Sequence, residues 1–238
     1  MGTTSRIIVV LIAISLFASC SEQKQPSLLQ LAQIPVTIKA PGGAIEAIRA
    51  LVKNGADVNQ HDKQNYGFTA LHYAAAKGNA QLVEYLLSKG AKVNARGQAV
   101  ISGRTLKYGT PLHHVAGQEA KASPKSLIKV AELLLAAKAE INAQNATGET
   151  ALHLAARGKN NNLASLLIEE GAAVNAINVY GQTPLILAVS AGVSEPMIKL
   201  LVEKKANPVL KDRHGSDALS IAKAKNNKRI LALLTASL

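Results

Sequence analysis

Glu149-Thr150-Ala151-Leu152-His153-Leu154-Ala155-Ala156 decides how the rest of the chain is read, because near copies of it recur. Phe68-Thr69-Ala70-Leu71-His72-Tyr73-Ala74-Ala75 comes before it, Gly109-Thr110-Pro111-Leu112-His113 lies between, and Gln182-Thr183-Pro184-Leu185 follows. The threonines stand at 69, 110, 150 and 183, and Asp217 fills the same slot in Asp217-Ala218-Leu219-Ser220-Ile221-Ala222, so the steps are 41, 40, 33 and 34 residues. A period of this kind marks a unit that cannot bury its own apolar face and therefore stacks on its neighbours.

The residues inside the unit fit a helix-turn-helix. Each Thr is placed to cap a short helix with its hydroxyl, and Pro111 and Pro184 follow at the first helical position, where a missing N–H costs nothing. A second apolar stretch comes after a turn, as in Leu82-Val83-Glu84-Tyr85-Leu86-Leu87 and Leu163-Ala164-Ser165-Leu166-Leu167, with leucines at helical spacing. Glycine ends that second helix at Gly55, Gly90 and Gly171. Lys138 and Lys205 stand in the same slot, where a side chain in the left-handed region costs about 1 kcal/mol, so those two turns are expected to be the looser ones.

The repeated lines resemble the T-P-L-H-x-A-A signature of ankyrin repeats. The tails Ala56-Asp57-Val58-Asn59, Ala91-Lys92-Val93-Asn94, Ala139-Glu140-Ile141-Asn142 and Ala172-Ala173-Val174-Asn175 resemble the segment that opens each ankyrin finger. The resemblance implies an all-α ankyrin-repeat solenoid of about six helix-turn-helix repeats with β-hairpin fingers, four well marked and two degenerate at the ends. In that family the motif histidine braces the turn, and the residue after it looks outward on the concave face. Here that row is Tyr73, His114, Leu154, Leu187 and Ile221, with Tyr66 and Tyr180 at finger tips. A largely apolar or aromatic row suits an interface core; partial packing against the neighbouring finger is the other reading.

Two insertions break the uniformity. From Asn94 to Thr110 is 16 residues, against 8 from Asn175 to Thr183. Within the longer finger, Gln98 to Tyr108 reads as two short strands around Ser102-Gly103, presenting Val100, Ile101, Leu106 and Tyr108. A second insertion, within 117–126, lengthens the helix-helix turn of the same repeat. Insertions in repeat arrays commonly map to function, although drift in a surface loop would look the same.

At the N-terminus Arg6 precedes eleven apolar residues, Ile7 to Phe17, and then Ala18-Ser19-Cys20. That run is shorter than the roughly 20 residues a spanning helix needs and reads as a secretory signal. Cys20, the one cysteine of the chain, stands where it resembles the bacterial lipobox, with Phe17 in place of the usual Leu. The expected organisation is a lipoprotein signal peptide at 1–19, a lipidated tether at 20–27 and the repeat domain at 28–238. An ordinary signal peptide or an uncleaved anchor is the alternative. The resemblance implies a lipid anchor in the bacterial cell envelope, and Ser21 after the cysteine implies the outer membrane, facing the periplasm.

Composition narrows the chemistry. Tryptophan is absent and aromatics are 3% of the chain, which argues against base-stacking platforms, so no nucleic-acid partner is expected. The net charge is +12, and Lys199 to Arg229 holds nine cations against three acids, a solvated cap or an anionic docking patch. His72, His113 and His153 share one register, but successive repeats are about 8–10 Å apart, too far for one metal ion. No phosphate loop, H-E-x-x-H, C-x-x-C or G-x-S-x-G occurs, so no metal, cofactor or enzymatic activity is expected. The chain is expected to act as a monomer that binds, and inhibits, a periplasmic protein, as immunity-type ankyrin proteins do. An envelope scaffold or a secreted effector binding a host protein are the alternatives.

Overall fold

The computed structural model describes residues 27–33, 43–63, 66–101, 104–117, 122–192 and 195–237, with the backbone alone at 43–44, 99–101 and 104–106. Among them run six helix pairs: α1 Leu28–Ala32 and α2 Gly43–Lys53, α3 Ala70–Ala76 and α4 Ala80–Ser88, α5 Pro111–Ala116 and α6 Pro124–Ala136. The series continues with α7 Ala151–Arg157 and α8 Asn161–Glu169, α9 Pro184–Ser190 and α10 Glu195–Glu203, and α11 Ala218–Ala224 and α12 Lys228–Thr235. First helices stack in one layer, α1 on α3 through to α9 on α11, and second helices from α4 to α12 stack in another. The core lies between the layers. Leu71, Leu82, Leu86, Leu112, Leu134, Leu152, Leu163, Leu167 and Leu185 are fully buried, and Ala74, Ala75, Ala155 and Ala188 let neighbouring helices close on them. The expected repeat solenoid is the observed architecture.

The weak first repeat is real. Ser27, placed with the tether by sequence, instead caps α1: its Oγ accepts the Gln30 N–H (3.3 Å) while Gln30 Oε1 accepts the Ser27 N–H (2.8 Å). Leu28, Leu29 and Leu31 are then buried in the stack. Asp217 replaces Thr at the other end without loss, because its carboxylate accepts the Ser220 N–H at 2.8 Å and Ser220 Oγ accepts the Asp217 N–H at 2.9 Å.

A single antiparallel hairpin stands among the described fingers, β1 Gln98–Ile101 and β2 Arg104–Lys107, with Gln98 opposite Lys107 and Ile101 opposite Arg104. It is the longer finger, formed as its sequence predicted. Its base is closed by the Tyr108 N–H donating to the Gly97 carbonyl at 2.7 Å.

What sets the spacing of the repeats is the asparagine that closes each tail. Asn59 Oδ1 accepts the Lys92 N–H (2.8 Å) and its amide donates to the Gly90 carbonyl (3.1 Å). Asn94 does the same to Glu140 N–H and Lys138 O, Asn142 to Ala173 N–H and Gly171 O, and Asn175 to Asn207 N–H and Lys205 O. Each asparagine thus satisfies one donor and one acceptor left over where the next repeat's second helix ends. This ladder corrects one expectation. Lys138 and Lys205 take φ 68° and 65°, beside 82° at Gly90 and 94° at Gly171. Their turns are no looser: Ala139 and Ala206 donate back into the helix at 2.9 Å, as Ala172 does at 2.8 Å. Asn94 and Asn175 pin the two lysine carbonyls, so the strain stays in the backbone instead of opening the turn.

Replacing Lys138 or Lys205 by glycine is therefore expected to stabilise the protein by up to about 1 kcal/mol, whereas Leu152→Ala costs about 2–5 kcal/mol. Urea unfolding of the three variants against wild type measures both.

Candidate protein-binding face

The first helices and the fingers form one face, and a histidine staple fixes its geometry. In His72 the Nδ1 accepts the Thr69 backbone N–H (3.0 Å) and contacts the Thr69 hydroxyl (2.9 Å). A backbone N–H can only donate, so this ring is neutral with its proton on Nε2, which donates to the Gly109 carbonyl of the next repeat at 3.2 Å. His113 repeats the arrangement onto Glu149 O (3.0 Å) and His153 onto Gln182 O (3.0 Å). The threonine caps are more varied than expected. Thr150 and Thr183 hydroxyls accept helix N–H groups at 3.4 and 3.2 Å, and the Thr150 hydroxyl also lies 2.9 Å from its histidine ring, as the Thr69 and Thr110 hydroxyls do at 2.9 and 3.0 Å.

Burial keeps these rings uncharged. His72 is pushed down to about 3 by desolvation and then by its neighbour His114, while His113 lies at about 4 and His153 is also lowered, both by burial first. His114, at about 4, is held there by burial and then by His113.

The outward row departs from expectation at two positions. Leu154 and Leu187 are 9% and 8% exposed, so packing between repeats covers them and they offer little to a partner. Tyr73 is half-buried, its hydroxyl donating to the buried Asp62 carboxylate at 2.7 Å. His114 is half-buried with its ring edge against Phe68, centroids 4.4 Å apart. Ile221 is half-buried. At the finger tips Tyr66 and Tyr180 are each 52% exposed. Val100, Ile101 and Leu106 lie on the hairpin, with their side chains outside the described residues, as is Cys20.

Several of the remaining predicted residues converge. Tyr66, Tyr73, Tyr108 and His114 gather with His72 around Phe68 at the foot of the hairpin, Tyr66 tilted by 53° against Tyr108 with centroids 4.7 Å apart and Phe68 meeting Tyr73 and Tyr108 edge-on at 6.2 and 6.1 Å. Two glycines permit this. A Cβ on Gly97 would fall 2.5 Å from the Phe68 ring, and one on Gly67 would fall 2.7 Å from the Gln98 carbonyl oxygen. Tyr66 itself is held in the left-handed region at φ 53°, a strained conformation for a tyrosine.

Phe68 was missed by sequence reasoning. Its signal was the slot before the motif threonine, where the other repeats carry Gly109, Glu149 and Gln182. Ile177 and Val209, at 55% and 46% exposure, were also missed; with the finger-tip Val179 beside Tyr180, 39% exposed, they form a second set of exposed aliphatics on the later fingers. Ile177 occupies the slot of Gln144, whose amide donates to the Ile177 carbonyl at 3.0 Å.

A family model for ankyrin repeats, in three copies, matches residues 11–97 and 119–212. The chain belongs to the ankyrin-repeat family. It is 34% identical over 142 residues to an L-asparaginase of Dirofilaria immitis, covering 52% of this chain and 24% of that protein. Palmitoyltransferase Hip14 of Drosophila melanogaster is 34% identical over 112 residues, covering 47% and 15%, and palmitoyltransferase ZDHHC17 of Danio rerio 42% over 76 residues, covering 32% and 11%. The chain thus spans a quarter or less of these relatives, and the activities in their names are theirs. An ankyrin-repeat array is a protein-protein interaction module, typically without catalysis of its own, and the staple and asparagine ladders are what hold this one rigid.

The histidines give the array a pH dependence with a definite sign. Unfolded histidine titrates near 6.5, so between there and about 4 the unfolded chain binds protons that the folded chain refuses, and stability falls with falling pH. Chemical denaturation is expected to show no loss from this source between pH 8 and 7 and a steepening loss below about pH 6. His153→Gln, which keeps one donor and one acceptor, should flatten that slope while lowering stability at pH 7.

Proposed function

We propose that this ankyrin array is carried to the bacterial envelope by its N-terminal signal, anchored through lipid on Cys20, and used as a monomer to capture and inhibit a periplasmic protein. The observation that carries the binding half of the reading is the enlarged β1–β2 finger seated on the aromatic cluster of Tyr66, Phe68, Tyr73 and Tyr108. Everywhere else the array is close to uniform, and here alone among the described fingers a hairpin rises beside exposed tyrosine. Aromatic side chains backed by rigid neighbours are the groups that anchor interfaces, because they bury large area at low entropic cost.

The anchoring half rests on sequence: the apolar run Ile7–Phe17 followed by Ala18-Ser19-Cys20, with the polar residues after it as tether. No helix among the described residues is long and apolar enough to cross a membrane. Outer-membrane placement, facing the periplasm, follows from Ser21.

Metabolic labelling with an alkyl fatty-acid probe is expected to mark the wild-type chain and miss Cys20→Ala. Equal labelling of both, or of neither, removes the lipid anchor from the reading.

For the binding half, the full chain solubilised from envelope membranes serves as bait, and retained proteins are identified by mass spectrometry. Against the captured protein, Tyr66→Ala and Tyr108→Ala are each expected to weaken binding, at least one by more than about 2 kcal/mol, while Tyr180→Ala on the later finger changes it little. Calorimetry measures the three. Unchanged affinity in both hairpin-side variants would move the interface elsewhere.

A further inference from the structure

The edge of the solenoid opposite the fingers carries a row of unpaired cations. A first helix begins just after one finger and a second helix ends just before the next, so the turn joining the two lies at the far edge. At that edge stand Lys77, which caps α3, Lys125 in the first turn of α6, and Lys159 between α7 and α8. In the last pair the row broadens to Lys223, Lys225, Lys228 and Arg229 around Asn226-Asn227; acids interrupt it at Glu46, paired with Arg49, and at Glu195, and Glu119 of the third pair's turn lies outside the described residues. Among the described residues none of these seven cations has an acid within 4 Å, and the ion pairs there involve Arg49, Arg96, Lys129, Arg157 and Lys199. The acids nearby in sequence are occupied: Glu203 faces Lys199, Asp212 accepts the His214 and Ser216 N–H groups, and Asp217 accepts that of Ser220.

From Lys77 to Lys228 is four repeat steps, roughly 40 Å at about 10 Å a step. A compact acidic cluster would meet one or two of these cations, and a peptide would need about twelve extended acidic residues to follow the row, whereas an anionic surface offers charge along its whole length. A second feature favours a bilayer over a nucleic acid. Beside Lys228 the outer face of α12 is a shallow apolar groove lined by Leu231, Ala232, Thr235 and Ala236. The end of this groove at the edge, Lys228 and Leu231, meets the same surface as the lysine row, and apolar atoms there gain from an acyl boundary that a nucleic-acid backbone lacks.

We infer that the helix-turn edge, from Lys77 to Arg229, docks on the phosphodiester headgroups of an anionic bilayer. Docked in this way, the solenoid turns its fingers and the β1–β2 hairpin away from the membrane, toward the partner. The inference extends the proposed function by giving the bound array an orientation, and it does not require the acyl chain on Cys20.

Lysine acetylation footprinting of the full chain tests it, on vesicles of phosphatidylcholine alone and on vesicles with about a quarter phosphatidylglycerol. Each basic residue close to such a surface adds about fivefold to binding, so Lys77, Lys125, Lys159, Lys225 and Lys228 should be protected at least about threefold on the anionic vesicles. Lys63, Lys92 and Lys107, on the fingers and hairpin, should react equally on both. Protection should vanish near 1 M salt, where the screening length is about 3 Å. The triple variant Lys225→Glu, Lys228→Glu, Arg229→Glu, its helix content confirmed by circular dichroism, should lose protection at Lys125 and Lys159 as well. Equal footprints on the two vesicles, a footprint that survives the triple variant, or protection by duplex DNA or an acidic protein but not by phosphatidylglycerol each overturns the inference. Failure to stay on phosphatidylcholine with the anionic footprint intact would count against the lipid anchor and leave the edge standing.

Discussion

Every other feature of this molecule depends on side chains that cross from one repeat to the backbone of the next. His72, His113 and His153 reach forward to a carbonyl before the next motif threonine, while Asn59, Asn94, Asn142 and Asn175 reach forward to the end of the next second helix. Stacked leucines and alanines supply the larger free energy, but apolar burial is non-directional and would tolerate a slide of one helix along another. A hydrogen bond to a fixed backbone atom does not. At the buried histidines, losing the partner would leave a donor or acceptor unsatisfied at about 1–3 kcal/mol, more than the bond itself contributes in net terms, whereas the asparagine bonds lie at exposed positions and cost less to lose. The ladders therefore set register, and the core follows.

That division of labour explains where the array tolerates disturbance. Between Asn94 and Thr110 the chain inserts a hairpin, yet Asn94 still binds Lys138 and Glu140, and His72 still binds Gly109 on the far side of the insertion. The staples close around the extra residues, so the loop-closure cost is the only one added, and it grows slowly with length. The second insertion is met by Gly78, where a Cβ would fall 2.6 Å from that of Ala122. Both insertions belong to the same repeat, and they leave the stack on either side of it undistorted.

The repeat, its period and both degenerate ends were legible because they are written as residue identities at fixed spacing, and so was the hairpin, from two short apolar-polar runs around Ser102-Gly103. What was not legible was which atoms meet. The tails ending in Asn59 or Asn142 announce a finger, but that the amide spans to a helix end some 30 residues later is a three-dimensional fact. Likewise the row after the motif histidine looks equivalent in sequence from Tyr73 to Leu187. It is not so in space: Leu187 is 8% exposed, while Tyr73 and His114 are drawn around Phe68, a residue that no periodicity singles out. Packing between neighbours, not the repeat itself, decides exposure along that row.

Because register is held by a few contacts that recur between repeats, the remaining surface positions are free to differ from repeat to repeat without cost to the fold. In the finger slot that runs Arg96, Gln144, Ile177, Lys211, the first two reach the carbonyl of the next finger, Arg96 at 2.5 Å onto Gln144 and Gln144 at 3.0 Å onto Ile177. Ile177 cannot hydrogen-bond onward, and what joins the fingers there is the backbone link alone, the Arg213 N–H donating to Tyr180 O at 2.9 Å as the Val179 N–H donates to Thr147 O at 3.0 Å. A polar relay that ends in an isoleucine at 55% exposure gives up a hydrogen bond and leaves apolar surface in water. The fold asks for neither, since Gln144 shows that the slot accepts an amide. The same reasoning applies to Tyr66, which sits at φ 53° with half its surface exposed although a glycine would relieve the backbone. Residues that cost the folded state, one by a lost hydrogen bond and the other by backbone strain, are those whose use lies in what the surface meets.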